Sequence, residues 1–411
     1  MADAIIEDDT DDGTYDLDAG WDLDALRAQT PGCAHRTHLN NAGAALMSTA
    51  TLTAMTGQLQ LEATIGGYEA AAHAREHIDA TYSALAELVG GRPDEIALFD
   101  NSTHAWNAAF YSLPLRPGDR ILTGRAEYGS SVLAYLQVAR RTGAELVVVP
   151  DDADGRIDLD ALAGLVDERT KLIGLTWVPT SGGLVNPAAE VGRIARDAGA
   201  LYLLDATQVV GQLPVDVAAL GCDVLTGTGR KFLRGPRGTG FAWFGPGALQ
   251  RLDPHVVEIS AATWDGGRGF RWAEGARRFE TWENSYVNVV GLGSAVRQAI
   301  DLGLDAVARR AVALGERLRR GLDDVPGVRT HDREAERCAI VTADVRGRDT
   351  ADVAAALGAE GINVSTTVPG HNQLDERGVH PLVRFSPHYY NTVEELDRAV
   401  AAVAAIARSA G

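Results

Sequence analysis

Lys171-Leu-Ile-Gly-Leu-Thr-Trp177, Pro187-Ala-Ala-Glu-Val-Gly-Arg-Ile-Ala-Arg-Asp-Ala198 and Leu201-Tyr-Leu-Leu204 read in succession as strand, helix and strand. Two short apolar runs flank a segment whose apolar residues recur at helical spacing. The same alternation runs upstream, with strand Asp119–Thr123, helix Gly129–Thr142, strand Glu145–Val149 and helix Leu159–Val166. Repeated βα units predict an α/β fold, a mostly parallel sheet with helices on both faces. Ligands bind such sheets at the carboxyl ends of the strands. Residues that directly follow these strands are therefore the first candidates for chemistry.

Working outward toward the N-terminus, strand Ile96–Phe99 runs into Asp100-Asn-Ser-Thr-His104 and a helical stretch to Ser112, the strand-turn-helix arrangement that seats a phosphate on helix amides. Ala70–Val89 has helical spacing and closes on Gly90-Gly91. Thr49–Ala63 is a further helix. Leu39-Asn-Asn-Ala-Gly-Ala-Ala45 is rich in small residues suited to close backbone approach, and Asn41 and Ala42 are expected to touch substrate. Toward the C-terminus come strand Gly238–Phe244, an irregular glycine-rich stretch near Trp264–Phe270 and a helix from Val289 past Asp301. Strands near Ala339–Ala343, Asn363–Thr366 and Leu382–Ser386, with helices Asp349–Glu360 and Val393–Arg408, then predict a small α+β domain. The expected organisation is an acidic disordered tail over 1–25, a large domain with its N-terminal segment over 26–286, and the small domain over 287–411.

A chain of 411 residues that is 45% hydrophobic is long enough for two domains and a large core. Its net charge of −18 offers no basic footprint for nucleic acid or an anionic membrane. Ten carboxylates precede the first base, Arg27, a pattern opposite to that of a signal or transit peptide. No apolar run approaches the ~18 residues that span a bilayer. Cys33, Cys222 and Cys338 are odd in number and widely spaced, which fits packing residues in a reducing compartment. A cytoplasmic location is expected. Only Lys171 and Lys231 occur among 38 basic residues. Arginine replaces lysine wherever charge suffices, so a lysine that remains is a candidate for amine chemistry.

Asp205 follows Leu201-Tyr-Leu-Leu204, at the end of a buried strand where an unpaired carboxylate is costly. A protonated pyridine nitrogen is one partner that would suit it, making that ring an electron sink for charge at a substrate Cα; capping the turn Ala206–Val209 is the alternative. Asp223-Val-Leu-Thr-Gly-Thr-Gly-Arg-Lys231 is a second short strand ending in a small-residue turn, which places Lys231 beside Asp205. Thr226 and Thr228 can offer hydroxyls to a phosphate and Arg230 can neutralise it. Gly235-Pro-Arg-Gly-Thr-Gly240 reads equally as a phosphate loop or as a plain sharp turn.

Asp205-Ala-Thr-Gln208 followed by Thr-Gly-Thr-Gly-Arg-Lys-Phe-Leu-Arg-Gly-Pro-Arg-Gly-Thr-Gly240 resembles the cofactor signature of class V aminotransferases, fold type I enzymes of pyridoxal 5′-phosphate (PLP) that include cysteine desulfurases. The resemblance covers nearly the whole chain after residue 38. It implies that Lys231 carries PLP as a Schiff base, that Asp205 pairs the pyridine nitrogen and that Gln208 reaches the ring oxygen, with Thr180 where many relatives have asparagine. Ser102 and Thr103 match the family's phosphate turn, with Thr228 contributing. Tyr128 stands where the family stacks an aromatic side chain, usually histidine, on the ring. Arg384, in Val-Arg-Phe-Ser-Pro-His-Tyr-Tyr-Asn391, matches the arginine that grips the substrate α-carboxylate, a task suited to a planar fork. Arg278-Phe-Glu-Thr-Trp-Glu-Asn284 falls where the family's second subunit joins the pocket, which implies a homodimer.

One departure shapes the expected reaction. Cysteine desulfurases carry a nucleophilic cysteine before the carboxylate-binding arginine, and Gly361 to Arg384 contains none. Val178-Pro-Thr-Ser-Gly-Gly-Leu-Val-Asn-Pro187 and Arg-Phe-Glu-Thr-Trp-Glu283 are more similar to the subgroup of isopenicillin N epimerases, the ergothioneine-pathway carbon–sulfur lyase and lincosamide-pathway enzymes that process S-cysteinyl conjugates. The expected activity is β-elimination of sulfur from an S-substituted cysteine, as a step of secondary metabolism. Epimerisation, decarboxylating oxidative deamination, transamination and a non-catalytic PLP-binding role are its rivals. His73-Ala-Arg-Glu-His77 matches an inverted zinc-peptidase pattern, but on an alanine-rich helix it reads as a solvated face, and no metal is expected. Trp264, Trp282, Thr366 and Thr367 are candidates to shape the substrate pocket, and His104, His371 and His388 are candidates to lie near it.

Overall fold

The computed structural model describes residues 20–332, 336–368 and 380–409. Seven strands form the main sheet: β1 (Ile96–Phe99), β2 (Arg120–Thr123), β3 (Glu145–Val148), β4 (Thr170–Thr176), β5 (Leu201–Asp205), β6 (Val224–Thr228) and β7 (Gly240–Phe244). Their order is β1-β7-β6-β5-β4-β2-β3. All neighbours from β6 through β3 are parallel, and β7 alone runs against both of its neighbours. Consecutive side chains of a strand face opposite sides, and here both sides are core. Leu201 and Leu203 join one apolar cluster while Tyr202 and Leu204 join the other. That is why these strands read as continuous apolar runs.

A second sheet follows, with strands β8 (Val328–Thr330), β9 (Val341–Val345), β10 (Ser365–Thr366) and β11 (Val383–Phe385) in the antiparallel order β8-β9-β11-β10. Its core takes Leu314, Leu318 and Leu322 from the helix Leu304–Asp323, Val353 and Leu357 from Thr350–Ala359, and Leu396 and Val403 from Val393–Arg408. Tyr286, expected at the domain boundary, instead opens a helix to Leu302 that packs on helices Thr49–Ile65 and Arg75–Val89. Its Val289, Leu292 and Val296 share the main core with Ile78, Leu85 and Val89.

The N-terminal segment stitches the two sheets together. Thr37–His38 pairs in parallel with Ile362–Asn363, and Leu39 sits in the small core. Residues 1–19 of the expected tail lie outside the described residues, but its last residues are folded. Trp21 donates from Nε1 to the Leu302 carbonyl at 3.2 Å and meets Tyr389 edge-on, and Leu23–Ala28 is a helix capped by Asp22. Two other expectations change. Ala70–Val89 is two helices, Gly67–His73 and Arg75–Val89, broken at Ala74, so His73 and His77 do not share one helix. The stretch near Trp264–Phe270 is the tip of a hairpin, Ala262–Trp264 paired with Phe270–Trp272.

Candidate active site

The carboxyl ends of β1, β2, β4, β5 and β6 meet around a cleft of about 740 Å³, part of it open to solvent. Such a volume holds a cofactor together with a small substrate. Ser102, Thr103, Tyr128, Thr180, Asp205, Gln208, Thr228, Arg230 and Lys231 all line it. Nine residues singled out over 130 positions of chain thus converge on one opening.

Asp205 ends β5 and pairs in register with Thr226 of β6. Burial raises its carboxyl above the usual range, against a hydrogen bond from the Thr207 amide at 2.8 Å and the nearby Lys231. Lys231 lies three residues beyond β6, only 7% exposed. Burial, then the charges of Arg230 and Arg384, lower its amine to about 7. A lysine in this state is partly unprotonated at neutral pH and can act as a nucleophile or base. Lys171 is the contrasting case. It sits at the amino end of β4, half-buried, with Nζ donating to the Glu168 carbonyl at 2.8 Å.

The helix α1 (Ser102–Phe110) starts directly after β1, and the Asn101 side chain caps it by accepting from the His104 amide at 2.8 Å. A Cβ at position 240 would collide with the Asn101 backbone, so Gly240 is what allows β7 to lie against this turn. The glycine run 235–240 therefore serves packing and a sharp turn; Arg234, just before it, holds φ at 61°. Ser102 Oγ lies 2.5 Å from Thr207 Oγ1, which joins the helix start to the β5 turn. Thr228 spends its hydroxyl proton on the Thr239 carbonyl at 2.9 Å, and Thr226 is fully buried and does not line the cleft. Arg230 lines the cleft and is held by the Gly43 carbonyl. Tyr128 precedes the helix α2 (Gly129–Thr142) and is the most exposed of the nine at 38%.

Across the cleft, Gln208 Nε2 donates to Thr180 Oγ1 at 2.8 Å and to the Ala42 carbonyl at 3.1 Å. Arg384, on β11 of the small sheet, donates through Nη1 to both the carbonyl and the hydroxyl of Thr180. Its Nη2 reaches Asn40 Oδ1 at 3.4 Å. The expected partner one residue on, Asn41, is fully buried, with its amide bonded to the carbonyls of Ser386 and His38 and to Tyr390. Asn41 is thus a structural tie, and Asn40 is the asparagine at Arg384. Trp264 and Trp282, expected near the pocket, are 72% and 57% exposed and do not line it. Thr367 is buried with its hydroxyl accepting from the Leu382 amide. His104 pairs with Asp100 at the surface, His388 is wholly buried, and His371 lies outside the described residues.

Two buried polar atoms at this site, Gln208 Oε1 and Arg384 Nε, have no hydrogen-bond partner. Beside an open cleft, such unpaired groups are free to bind a ligand or water. A buried carboxylate, a buried amine with its proton loosened, a helix start with hydroxyls and an aromatic face form a donor set that fits PLP. Glu127 was missed in the sequence. It stands four residues past β2, where a carboxylate at a strand's carboxyl end is itself a signal, and Thr123, Thr176 and Tyr128 surround it.

Residues 37–399 match the family model described as aminotransferase class-V. A probable cysteine desulfurase of Xylella fastidiosa is 32% identical over 345 residues, which cover 82% of each chain. The cystine C–S lyase C-DES in complex with its reaction product cysteine persulfide is similar with a TM-score of 0.82 at 25% identity, over 92% of this chain and 99% of that one. A C-DES variant with glycine covalently linked to its PLP cofactor gives a TM-score of 0.84 at 25% identity, over 92% and 98%.

Proposed function

The chain belongs to the class-V aminotransferase family, and from that premise we propose that it is a PLP-dependent lyase that breaks the Cβ–S bond of an S-substituted cysteine without a sulfur-accepting cysteine of its own. The observation that carries this reading is the placement of the three cysteines. Cys222 and Cys338 are buried and Cys33 is half-buried beside Trp21 and Tyr389. None lines the cleft among the described residues, and none occurs between Gly361 and Arg384. Relatives named cysteine desulfurases and a neighbour named a cystine C–S lyase support carbon–sulfur cleavage as the reaction class.

In this reading Lys231 would hold the cofactor through its amine, and Asp205 would face the ring nitrogen as its carboxylate partner. Ser102, Thr103 and Arg230 would hold the phosphate, Thr228 having given its hydroxyl proton to the Thr239 carbonyl; Tyr128 would cover a ring face, and Gln208 with Thr180 would border the ring oxygen. When bound, PLP supplies the electron sink that stabilises negative charge at the substrate Cα. Arg384 grips the α-carboxylate, with Asn40 alongside and Ala42 holding Gln208 through its carbonyl. Lys231 Nζ, its affinity for protons lowered to about 7, takes the Cα proton and passes one to the departing sulfur. The net reaction joins one water to the S-substituted cysteine and yields a thiol, pyruvate and ammonium. Holoenzyme supplied with S-substituted cysteines is expected to release thiol and pyruvate in equal amounts. Alanine in place of pyruvate, or racemised substrate with no thiol, would contradict it.

A cytoplasmic homodimer completes the reading. Ile259, Trp264, Phe270 and Trp282 are exposed on segments tied together by the hairpin and by the Trp282 amide donating to Glu258 at 3.0 Å. Exposed apolar groups concentrated in one region favour a protein partner, and a second copy fits the position of Arg278–Asn284 next to it. Sedimentation should show twice the chain mass, and replacing Trp264 and Trp282 by serine should shift it toward the monomer.

A further inference from the structure

Glu127 is a carboxyl with almost no access to solvent, 3% exposed, and no cationic partner among the described residues. It stands on the turn between β2 and α2 and reaches across strand ends. Oε2 accepts from Thr123 Oγ1 of β2 at 2.7 Å, and Oε1 accepts from the Tyr128 amide at 2.9 Å and from Thr176 Oγ1 of β4. Tyr135 of α2 approaches Oε2 at 3.5 Å. Thr176 pairs in register with Asp205 and lines the cleft, as does Tyr128. A single carboxyl therefore fixes the turn that carries the aromatic face and the strand end beside the carboxylate assigned to the ring nitrogen.

A structural tie needs no acid. Burying a carboxyl without a cation is costly, and a glutamine can span the same groups, its Oε1 accepting from the Tyr128 amide and Thr176 while its Nε2 donates to the Thr123 hydroxyl, which can also accept. What an acid adds is a charge that comes and goes. The groups facing it are Thr123, Thr176, Tyr135 and Asp205, of which Tyr135 and Asp205 titrate. Burial keeps Tyr135 a phenol, and burial, opposed by the hydrogen bonds from Thr176, Thr123 and the Tyr128 amide and aided to a lesser degree by Asp205's charge, pushes Glu127 up to about 7.

We propose that Glu127 is a positioning residue of the PLP site, holding Tyr128 and Thr176 in place and lending, when ionised, a second negative charge that makes the ring system keep its proton. The inference rests on the PLP reading and concerns how Asp205 is assisted. Like charges raise each other's proton affinity, and the same field favours a positive charge on the ring that Asp205 pairs.

The test is a pH titration of the visible absorbance of the bound cofactor in wild type and Glu127→Gln holoenzyme, each with its PLP content measured. Glu127→Gln keeps the shape, can keep the bridge with the Thr123 bond reversed, and removes the charge. Its chromophore should lose its protonated form at lower pH, by about one to two pH units, the size of an interaction between unit charges about 6 to 12 Å apart at an effective dielectric near 20. In the wild-type holoenzyme a protonated-carboxyl infrared band should fade as pH rises through neutrality and be missing from Glu127→Gln. A Glu127→Gln enzyme that binds PLP and titrates like wild type overturns the proposal. So does an infrared spectrum with no such band, a measurement that holds even if the variant does not fold. A wild-type protein that takes up no PLP at all overturns the reading beneath it.

Discussion

Arg384 of the small sheet donates to the Thr180 carbonyl at 2.8 Å and to the Thr180 hydroxyl at 2.5 Å, on the loop that follows β4 of the large sheet. The guanidinium is buried, and burial followed by Arg230 lowers it only to about 10, so it stays charged at neutral pH. Thr180 also accepts from Gln208. A substrate carboxylate placed at Arg384 is thereby coupled through one threonine to the side chain assigned to the cofactor's ring oxygen.

Arg384→Lys is expected to raise KM far more than it lowers kcat. A point charge cannot reproduce the two-pronged grip, and truncating one side of a buried charge pair costs ~2–5 kcal/mol, roughly 30-fold or more in affinity. Steady-state kinetics decide it; a kcat loss with unchanged KM would remove Arg384 from the substrate.

Asp205→Ala is expected to retain the fold and to lose turnover. Leaving a buried ring cation unpaired would cost ~3–5 kcal/mol, roughly 10²- to 5 × 10³-fold in kcat. Single-turnover rates check this, and Asp205→Glu should recover part of the loss.

Asp332 binds both sides of the join between the sheets. Oδ1 accepts from the Gly183 amide and from Thr342 Oγ1, each at 2.9 Å, and Oδ2 accepts from the Thr342 amide at 2.9 Å and Arg319 Nε at 3.2 Å. Gly183 lies on the Thr180 loop, and Thr342 pairs with Arg384. Asp332→Ala should destabilise the chain by ~3–5 kcal/mol and raise KM as Thr180 and Arg384 lose register. Denaturant unfolding and kinetics on the same preparation test both effects.

His388 packs under the Lys231 turn, with Nε2 2.8 Å from the Phe232 carbonyl. Burial, then Arg234, depress its proton affinity to about 3. The unfolded chain protonates this side chain below about 6.5 while the folded chain resists, so the folded state loses stability as pH falls from about 6.5 toward 3, by ~1.4 kcal/mol per unit. Above that window both states are neutral and the term vanishes. His388→Asn should flatten the decline between pH 6 and 4 in thermal unfolding.

The βα alternation was legible because strands buried on both faces have no polar positions to blur them. Lys231, Asp205 and the Ser102 turn were legible for a related reason, since each directly follows such a strand. What stayed hidden depends on contacts distant in sequence. Nothing local separates Asn40 from Asn41; the choice is made by Ser386 and Tyr390, some 345 residues away. Glu127 carries one local signal, its place just past a strand's carboxyl end, but its bridge to Thr176 exists only once β4 is placed beside β2. The Trp264 hairpin was lost because glycine-rich sequence with exposed aromatics has no apolar face from which to infer pairing.

The central claim is that Lys231 alone bears the cofactor. Borohydride reduction of the holoenzyme followed by peptide mass analysis tests it directly. One pyridoxyl phosphate on the peptide containing Lys231, and none in Lys231→Ala, is the predicted result; a label on Lys171, or a Lys231→Ala protein that keeps the attached chromophore, would contradict the account.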